Sequence, residues 1–206
     1  MPIAQALADF KASVAQCDSL IANAHQLNQV GAYFLPEIDR QQVTVAGFLN
    51  FFIAWEWFLE TTLAELLRGS LTMNGTAPVK YASPPDAAAA KKMVIGTHKY
   101  FDYGNHEKLR QVAEIYFQNG DPFQPHLNSI FTDLQELRTM RNSSAHISSS
   151  TQTALEGLSL RLLARPSPGI TLYQLLTAQH PNSAGQTVFA TYKAKLLVTA
   201  ELIAQG

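Results

Sequence analysis

Apolar residues recur at helical spacing along most of the chain, and no alternating run of useful length predicts a β-strand. The clearest example is segment 44–68, in which the apolar side chains fall on one arc of a helical wheel. That arc consists of Phe48, Leu49, Phe52, Ile53, Trp55, Leu59, Leu63 and Leu66. A helix with such an arc buries it against neighbouring helices, so the sequence predicts an all-α protein.

Capping residues, Gly and Pro mark where the helices start and stop. The longer helices are predicted at 3–29, 44–68, 105–119, 124–146 and 186–204. Shorter helices are predicted after Pro85, at 171–178, and from a capping box at Ser149 and Gln152 to Ala164. These segments predict a helical bundle of about five to seven helices.

Length and charge limit the architecture and the partners. A chain of 206 residues suits a single domain, 1–206, because one core usually serves about 100–200 residues. Charged residues make up only 15%, so we expect apolar surface that a second copy of the chain covers in a homodimer. Fifteen Lys and Arg against sixteen Asp and Glu argue against a protein that coats nucleic acid through its overall charge, but leave room for a local basic site.

The sequence also bears on compartment and cofactors. Cys17 is the only cysteine, which excludes an intrachain disulfide and a cysteine-based zinc site. The first residues, MPIAQALADFK, show no charged leader followed by an apolar run. The longest apolar stretch, FLNFFIAWEWFLE, contains Asn50 and Glu56 and is shorter than the roughly 18 residues that span a bilayer. We therefore expect a cytoplasmic protein with no membrane span, no cofactor and no metal.

Charged residues interrupt the apolar faces of two predicted helices. In helix 124–146, Arg138 and Arg141 fall in the arc of the buried residues, and in helix 44–68 Glu56 does the same. An unpaired buried charge costs several kcal/mol, so the acid and the arginines are expected to meet. Glu56 is expected to pair with Arg138 or Arg141, and for Arg138 this structural role is favoured over that of a phosphate ligand. A structural ion pair that fixes the register of two helices explains this pattern as well as a functional site does.

His146 follows Arg141 by five residues. On an unbroken helix it would point about 140° away, so the serines in SSAHISSS are expected to end the helix and let His146 turn toward Arg141. Asn142 either orients His146, holds a phosphate, or caps the helix end. The spacing alone decides nothing, because an Arg followed by a His at this distance arises readily by chance.

The stretch RNSSAH at 141–146, at the end of an inward helix face, resembles the motif of the HEPN superfamily, in which Arg and a polar residue precede a His. The segment WEWFLETTLAELLRG resembles the helix that carries an inward acid in prokaryotic, RiboL-PSP-like members from conflict systems, with Glu56 in that place. The resemblance implies a HEPN-like bundle that dimerises so that two Arg/His motifs face each other across a cleft. It implies catalytic roles for Arg141 and His146 and supporting roles for Asn142, Glu56 and Arg138.

The same resemblance implies a metal-independent endoribonuclease of toxin–antitoxin or other defence systems. RNA would be its substrate and an antitoxin protein a further partner. Some members have lost catalysis, so the alternative is a non-catalytic module that binds nucleotide or a partner protein. The chemistry suits RNA cleavage, because histidine titrates near neutral pH and the donor fork of arginine matches phosphate oxygens.

Aromatic residues beside basic ones in HKYFDYGNHEK are candidates for binding substrate. Tyr100 and Tyr103 would stack on unpaired RNA bases, although core packing or loop anchoring explains such a run as well. The remaining histidines lack the spacing of metal ligands and are expected at the surface: His25, His98, His106, His126 and His180.

The substitution Glu56→Ala tests whether Glu56 pairs with an arginine of helix 124–146. We expect this change to lower the free energy of unfolding by about 3–5 kcal/mol for a fully enclosed pair, because a buried arginine loses its carboxylate, and by less for a pair that water reaches. Denaturant unfolding of the variant measures the loss. An unfolding midpoint equal to that of the wild type would contradict the pairing.

Overall fold

The structure is a computed structural model that describes residues 2–145 and 148–206. Over these residues the chain forms nine α-helices, one short 3₁₀ helix at Gln118–Gly120, and no strand beyond three isolated bridges. The helices are α1 (Pro2–Ala24), α2 (Glu37–Arg68), α3 (Ala87–Ile95), α4 (His106–Tyr116), α5 (Phe123–Ser129), α6 (Phe131–Ala145), α7 (Ser149–Leu163), α8 (Leu172–Thr177) and α9 (Val188–Gln205).

The predicted all-α helical bundle is confirmed over the described residues, but helix 124–146 is two helices. α5 ends at Ser129 and α6 begins at Phe131, because Ile130 between them has φ −122° and ψ 24°, outside the helical region. The hydroxyl of Ser129 donates to the carbonyl of His126 at 2.7 Å, which satisfies one acceptor at the end of α5. The apolar period continues across this break, so the helical wheel gives no sign of it.

α2 begins at Glu37, earlier than the predicted start at Thr44. Pro36 precedes the helix, and its fixed φ suits a helix start. Glu37 and Asp39 then place negative charge at the positive end of the helix dipole. The polar first turns therefore belong to the helix although the apolar arc begins only later.

α1 ends at Ala24, before the predicted end near Gln29. The side chain of Asn28 causes this early end, because its Oδ1 accepts from the backbone nitrogens of Val30 at 3.0 Å and Ala32 at 2.9 Å. Such an Asx turn offers the backbone an alternative to the helix. The segment from 25 to 36 is consequently a hydrogen-bonded turn.

The N-cap of α7 is Ser148, and the predicted capping box at Ser149 and Gln152 is wrong by one residue. The Ser148 hydroxyl accepts from the backbone nitrogen of Thr151 at 3.2 Å, and the Thr151 hydroxyl accepts from the Ser148 nitrogen at 3.0 Å. Three consecutive serines, 148–150, stand at the start of this helix, so the sequence offers several equivalent caps. Gln152 instead donates to Glu156 at 3.1 Å.

Packing divides the chain into two compact units. Unit 1 consists of the residues up to Ala12, Ala54–Leu134 and Lys195–Gly206. Unit 2 consists of Ser13–Ile53 and Gln135–Ala194. The single domain expected from chain length stays a prediction.

Aromatic rings fill the core of unit 1. Phe10 packs against Trp55 and Phe58, with ring centroids 5.8 Å and 5.7 Å away. The indole nitrogen of Trp55 donates to Nε2 of His106 at 3.0 Å, and both residues are buried. The expected surface position of His106 is therefore wrong, because this histidine supplies the acceptor that a buried indole N–H requires.

Unit 2 has a second aromatic core. Phe48 and Phe51 of α2 meet the ring of Phe189 edge-on, at centroid distances of 5.8 Å and 5.5 Å. At its border, Lys193 of α9 forms an ion pair with Asp18 of α1. The same helix α2 thus supplies aromatic residues to the core of each unit.

Among the described helices, α2 is the one long and apolar enough to cross a membrane, with a mean hydropathy of 1.2 over its most apolar window. Half of that window is buried inside the protein. Core helices of soluble proteins show the same combination of length, apolar composition and burial, so this is weak support for a membrane span.

The bond between Trp55 and His106 predicts a large effect of His106→Ala. We expect the free energy of unfolding to fall by about 2–4 kcal/mol, because the change leaves a buried indole N–H without its acceptor and opens a cavity. Urea unfolding measures the effect, with His98→Ala at an exposed position as the matched control. The control should change stability by no more than about 0.5 kcal/mol, and equal losses in both variants would contradict the role of His106.

Candidate functional site

The C-terminal half of α6 carries most of the residues that the sequence singles out. Arg138, Arg141 and Asn142 are half-buried there, while Leu137 and Met140 of the same turns are fully buried. The two arginines therefore lie at the margin of the buried face of α6. Long side chains at such a margin bury their stems and keep their charged ends near water.

Arg141 is oriented by the residue that follows it. Its Nη1 donates to Oδ1 of Asn142 at 3.2 Å, although neighbouring residues on a helix point about 100° apart. The guanidinium is thus drawn toward the amide of Asn142. An amide oxygen is an uncharged acceptor, so this contact bears on the direction of the guanidinium. Of the roles considered for Asn142, orientation of a neighbouring side chain is the one that this contact supports, and the neighbour is Arg141.

Two serines satisfy carbonyl groups near the end of α6. The hydroxyl of Ser143 donates to the carbonyl of Met140, and that of Ser144 to the carbonyl of Arg141, both at 2.7 Å. Serine hydroxyls on a helix often bond back to a carbonyl of the preceding turn in this way, and the bond competes with the backbone ladder of the helix. Both hydroxyl protons are directed to the backbone, as expected for serines that help to end a helix.

His146 lies outside the described residues, and so its predicted pairing with Arg141 stays a prediction. α6 ends at Ala145 and the described chain resumes at Ser148, the N-cap of α7. Arg141 therefore lies close to the end of α6.

Glu56 lies on α2, within the part that belongs to unit 1, and is half-buried. Trp55 before it is fully buried, whereas Trp57 after it is 47% exposed. Of the predicted apolar arc, Ile53 is 59% exposed, so the arc is narrower than the helical wheel indicates. The ion pair of Glu56 with an arginine stays a prediction. The carboxylate oxygen Oε1 is closed to solvent although the residue as a whole is half-buried, so the expected cost of Glu56→Ala stays at about 3–5 kcal/mol.

The two candidate tyrosines lie in different environments. Tyr100 is 75% exposed, whereas Tyr103 is 8% exposed and meets the ring of Phe101 at a centroid distance of 4.8 Å. Burial, together with the negative charge of Glu60, raises the pKa of Tyr103 above its usual range. The ring of Tyr100 is therefore open to stacking by an RNA base. The ring of Tyr103 is enclosed and anchors the loop.

Sequence reasoning missed a partly buried polar contact between α6 and α9. The hydroxyl of Tyr192 donates to the carboxylate of Glu136. Tyr192 is 1% exposed, and a buried phenol needs a hydrogen-bond partner. Its position in the apolar stripe of α9, four residues after Val188 and four before Leu196, is the sequence signal that would have indicated a polar partner.

A histidine environment in unit 2 was also missed. His25 contacts the hydroxyl of Thr44 at 3.1 Å and lies parallel to the ring of Tyr173, with centroids 6.4 Å apart. Arg40 stacks over Tyr33, 3.5 Å from the centre of its ring. Burial, and then the positive charge of Arg40, lower the pKa of His25. His25 is therefore half-buried and not the surface residue that was expected.

The other histidines and acids form no cluster of metal ligands in the described part of the chain. No group of three or more His, Cys, Asp or Glu is placed there to hold a metal ion. His98 is exposed, while His126 and His180 are half-buried. Burial lowers the pKa of His126, and the nearby charge of Asp121 acts in the opposite direction.

No protein-family model, curated protein or solved structure matches this chain. The resemblance to the HEPN superfamily therefore stays a prediction, and it depends on residues 141–146 and on Glu56. What the described residues add is the all-α fold and the contact between Arg141 and Asn142.

The lowered pKa of His25 predicts that the protein loses stability in acid. In the unfolded chain His25 binds a proton at its ordinary pKa of about 6.5, and in the folded chain only at lower pH. As the pH falls, the unfolded state therefore binds a proton before the folded state does. The contribution of His25 to the free energy of unfolding is complete above about pH 6.5 and is lost as the pH falls below it. His126 acts in the same direction.

Urea midpoints between pH 7.5 and pH 5 measure this dependence, with His25→Gln as the test and His98→Gln at an exposed position as the control. We expect a shallower pH dependence in His25→Gln and an unchanged one in His98→Gln. The same slope in both variants and the wild type would exclude His25 as a source.

Proposed function

We propose that the protein is a homodimeric, metal-independent endoribonuclease of the HEPN type, with Arg141 and His146 at its active site. The observation that carries the proposal is the hydrogen bond from Arg141 to Asn142, which fixes a guanidinium near the end of α6, five residues before His146. Arginine is well suited to bind phosphate, because its guanidinium can donate to two phosphate oxygens at once. The orientation of the guanidinium decides whether it reaches both oxygens.

The proposed reaction needs no group from outside the protein and the RNA. His146 accepts the proton of a ribose 2′-hydroxyl, whose oxygen attacks the adjacent phosphorus. The bond from phosphorus to the 5′-oxygen breaks, and that oxygen takes up a proton as it leaves. Arg141 stabilises the charge that gathers on the phosphate oxygens. The products are a 2′,3′-cyclic phosphate and a free 5′-hydroxyl.

Two half-sites would meet in a dimer, so that one motif supplies the base while the other supplies an acid or further positive charge. Trp57, exposed on α2, is a contact residue that suits such an interface, because exposed tryptophans are frequent anchors of protein contacts. The remaining parts of the proposal are a cytoplasmic location, RNA as substrate, an antitoxin protein as partner, and no cofactor.

The mechanism predicts that a single 2′-deoxy nucleotide at the cleavage site abolishes cleavage there, because it removes the nucleophile and leaves the rest of the RNA unchanged. His146→Ala should lower the rate by about 10²–10⁴-fold with the fold intact, and Arg141→Ala should weaken binding as well. Chelators should have no effect. His98→Ala and Arg165→Ala, both at exposed positions, are the matched controls.

Gel analysis of end-labelled RNA distinguishes the outcomes. Cleavage of the substituted RNA at the same bond, or dependence on an added divalent metal, would contradict the mechanism. RNA that is bound but left intact by the wild type would favour the alternative, a non-catalytic module that binds nucleotide.

A further inference from the structure

A concave pocket in unit 1 brings polar side chains together beside the start of α5. Its volume is about 560 Å³, within the range of sites for small ligands. Four of its side chains are amides and one is a carboxylate, and we call it the amide pocket. The polar side chains that line it are Gln118, Asn119, Asp121, Gln124 and Asn128.

The backbone at the rim of the amide pocket is held in an unusual conformation. Asn119 has φ 57° and Gly120 has φ 69°, so two successive residues occupy the left-handed region. A Cβ atom on Gly120 would lie 2.8 Å from Cβ of Gln124, so only glycine fits there. Backbone bonds from Gln118 to Val79 at 2.9 Å and from Gly120 to Phe117 at 3.0 Å fix the segment. A non-glycine residue with a left-handed backbone, such as Asn119, costs conformational energy, and such residues are frequent at functional sites.

The wall of the pocket is fixed as well. The amide nitrogen of Gln124 donates to the carboxylate of Glu114, and its carbonyl oxygen accepts from Nε of Arg110 at 3.0 Å. Arg110 in turn lies over the ring of Phe131, 5.1 Å from its centre. These contacts determine which way the amide of Gln124 points, so the pocket is preorganised on this side.

The other four polar side chains form no hydrogen bond with any described residue: Gln118, Asn119, Asp121 and Asn128. They therefore offer both donors and acceptors to a ligand. No Lys, Arg or His is among the described residues that line the pocket, and the carboxylate of Asp121 repels anions. Val79 and Pro125 add apolar surface. The pocket therefore suits a neutral, partly apolar ligand with donors and acceptors along one edge.

We propose that the amide pocket binds an unpaired guanine of an RNA strand, an inference that rests on the proposed ribonuclease function. Single-stranded RNA is recognised by hydrogen bonds to exposed base edges. Guanine is the base whose Watson–Crick edge presents two adjacent N–H donors, at N1 and N2, and these match the two oxygens of the Asp121 carboxylate. Its O6 and N7 are acceptors for the side-chain amides of Asn119 and Asn128.

Binding of fluorescent 2′-O-methyl oligouridylates tests the pocket without cleavage, because the 2′-hydroxyl is blocked. Each probe carries guanine, inosine, adenine, cytosine or uracil at its centre, and anisotropy reports the affinity. We expect guanine to bind at least about fivefold more tightly than adenine, cytosine or uracil, with inosine between them because it lacks the N2 amino group.

Two variants address the residues involved. Asp121→Asn should reduce the preference for guanine over adenine to less than about twofold, while Asp39→Asn, the same charge change at an exposed position in unit 2, should leave it unchanged. Asn119→Gly removes an amide but suits φ 57°, so it should weaken guanine binding with no loss of stability. Thermal melting of each variant confirms the fold.

The outcomes separate the pocket from the proposed activity. Equal affinity for all five probes, or a preference that survives Asp121→Asn, would overturn the guanine site even where RNA is cleaved. A guanine preference that depends on Asp121 would support the site even where no cleavage occurs, and the ribonuclease proposal would then fail alone. If free guanosine binds as tightly as the oligonucleotide, the ligand of the pocket is a free nucleoside, and the proposal that it binds a guanine within RNA is overturned.

Discussion

Burial of aromatic side chains along α2 is the interaction on which the rest of the structure depends. Trp55 and Phe58 lie in the core of unit 1, and Phe48 and Phe51 in that of unit 2. Each such ring contributes about 1.5–3 kcal/mol by leaving water, which is large beside the net stability of an ordinary domain. A helix with this role tolerates few changes on its buried face. An acid such as Glu56 on the same helix therefore raises the question of what it binds.

Two polar groups of the buried aromatic side chains have defined partners. The indole of Trp55 donates to His106, and the phenol of Tyr192 donates to Glu136. The first bond joins α2 to α4 and the second joins α9 to α6. Each bond therefore adds a preferred direction to packing that is otherwise non-directional. At the candidate site the same principle acts on a charged group, because the amide of Asn142 gives the guanidinium of Arg141 one orientation.

The sequence predicts the parts of this molecule that depend on local repetition. The period of apolar residues indicates the helices and the all-α class, and the same wheel turns the arginines of α6 toward its buried face, at whose margin they lie. It does not reveal the break at Ile130, because a single residue outside the helical region leaves the period intact. It places His106 wrongly, because the burial of this residue goes with a contact to Trp55, which is distant in sequence. The amide pocket was missed for a similar reason: its side chains converge only once Asn119 and Gly120 adopt left-handed conformations. The Arg141–His146 motif was visible as a motif, and its geometry lies partly outside the described residues.

The Asn119–Gly120 pair also has a consequence for the lifetime of the protein. Asparagine followed by glycine is the dipeptide most prone to deamidation, because an unhindered glycine nitrogen attacks the side-chain carbonyl carbon, the bond to the amide nitrogen breaks, and ammonia departs to leave a cyclic imide. In this fold that nitrogen donates to the carbonyl of Phe117 at 3.0 Å, and the fixed left-handed backbone keeps it from swinging toward the amide. Chemical ageing at this bond is thus restrained by the fold. Where the segment opens, hydrolysis of the imide would set a second carboxylate beside Asp121. A deamidated molecule would then carry one more negative charge at the rim of the amide pocket.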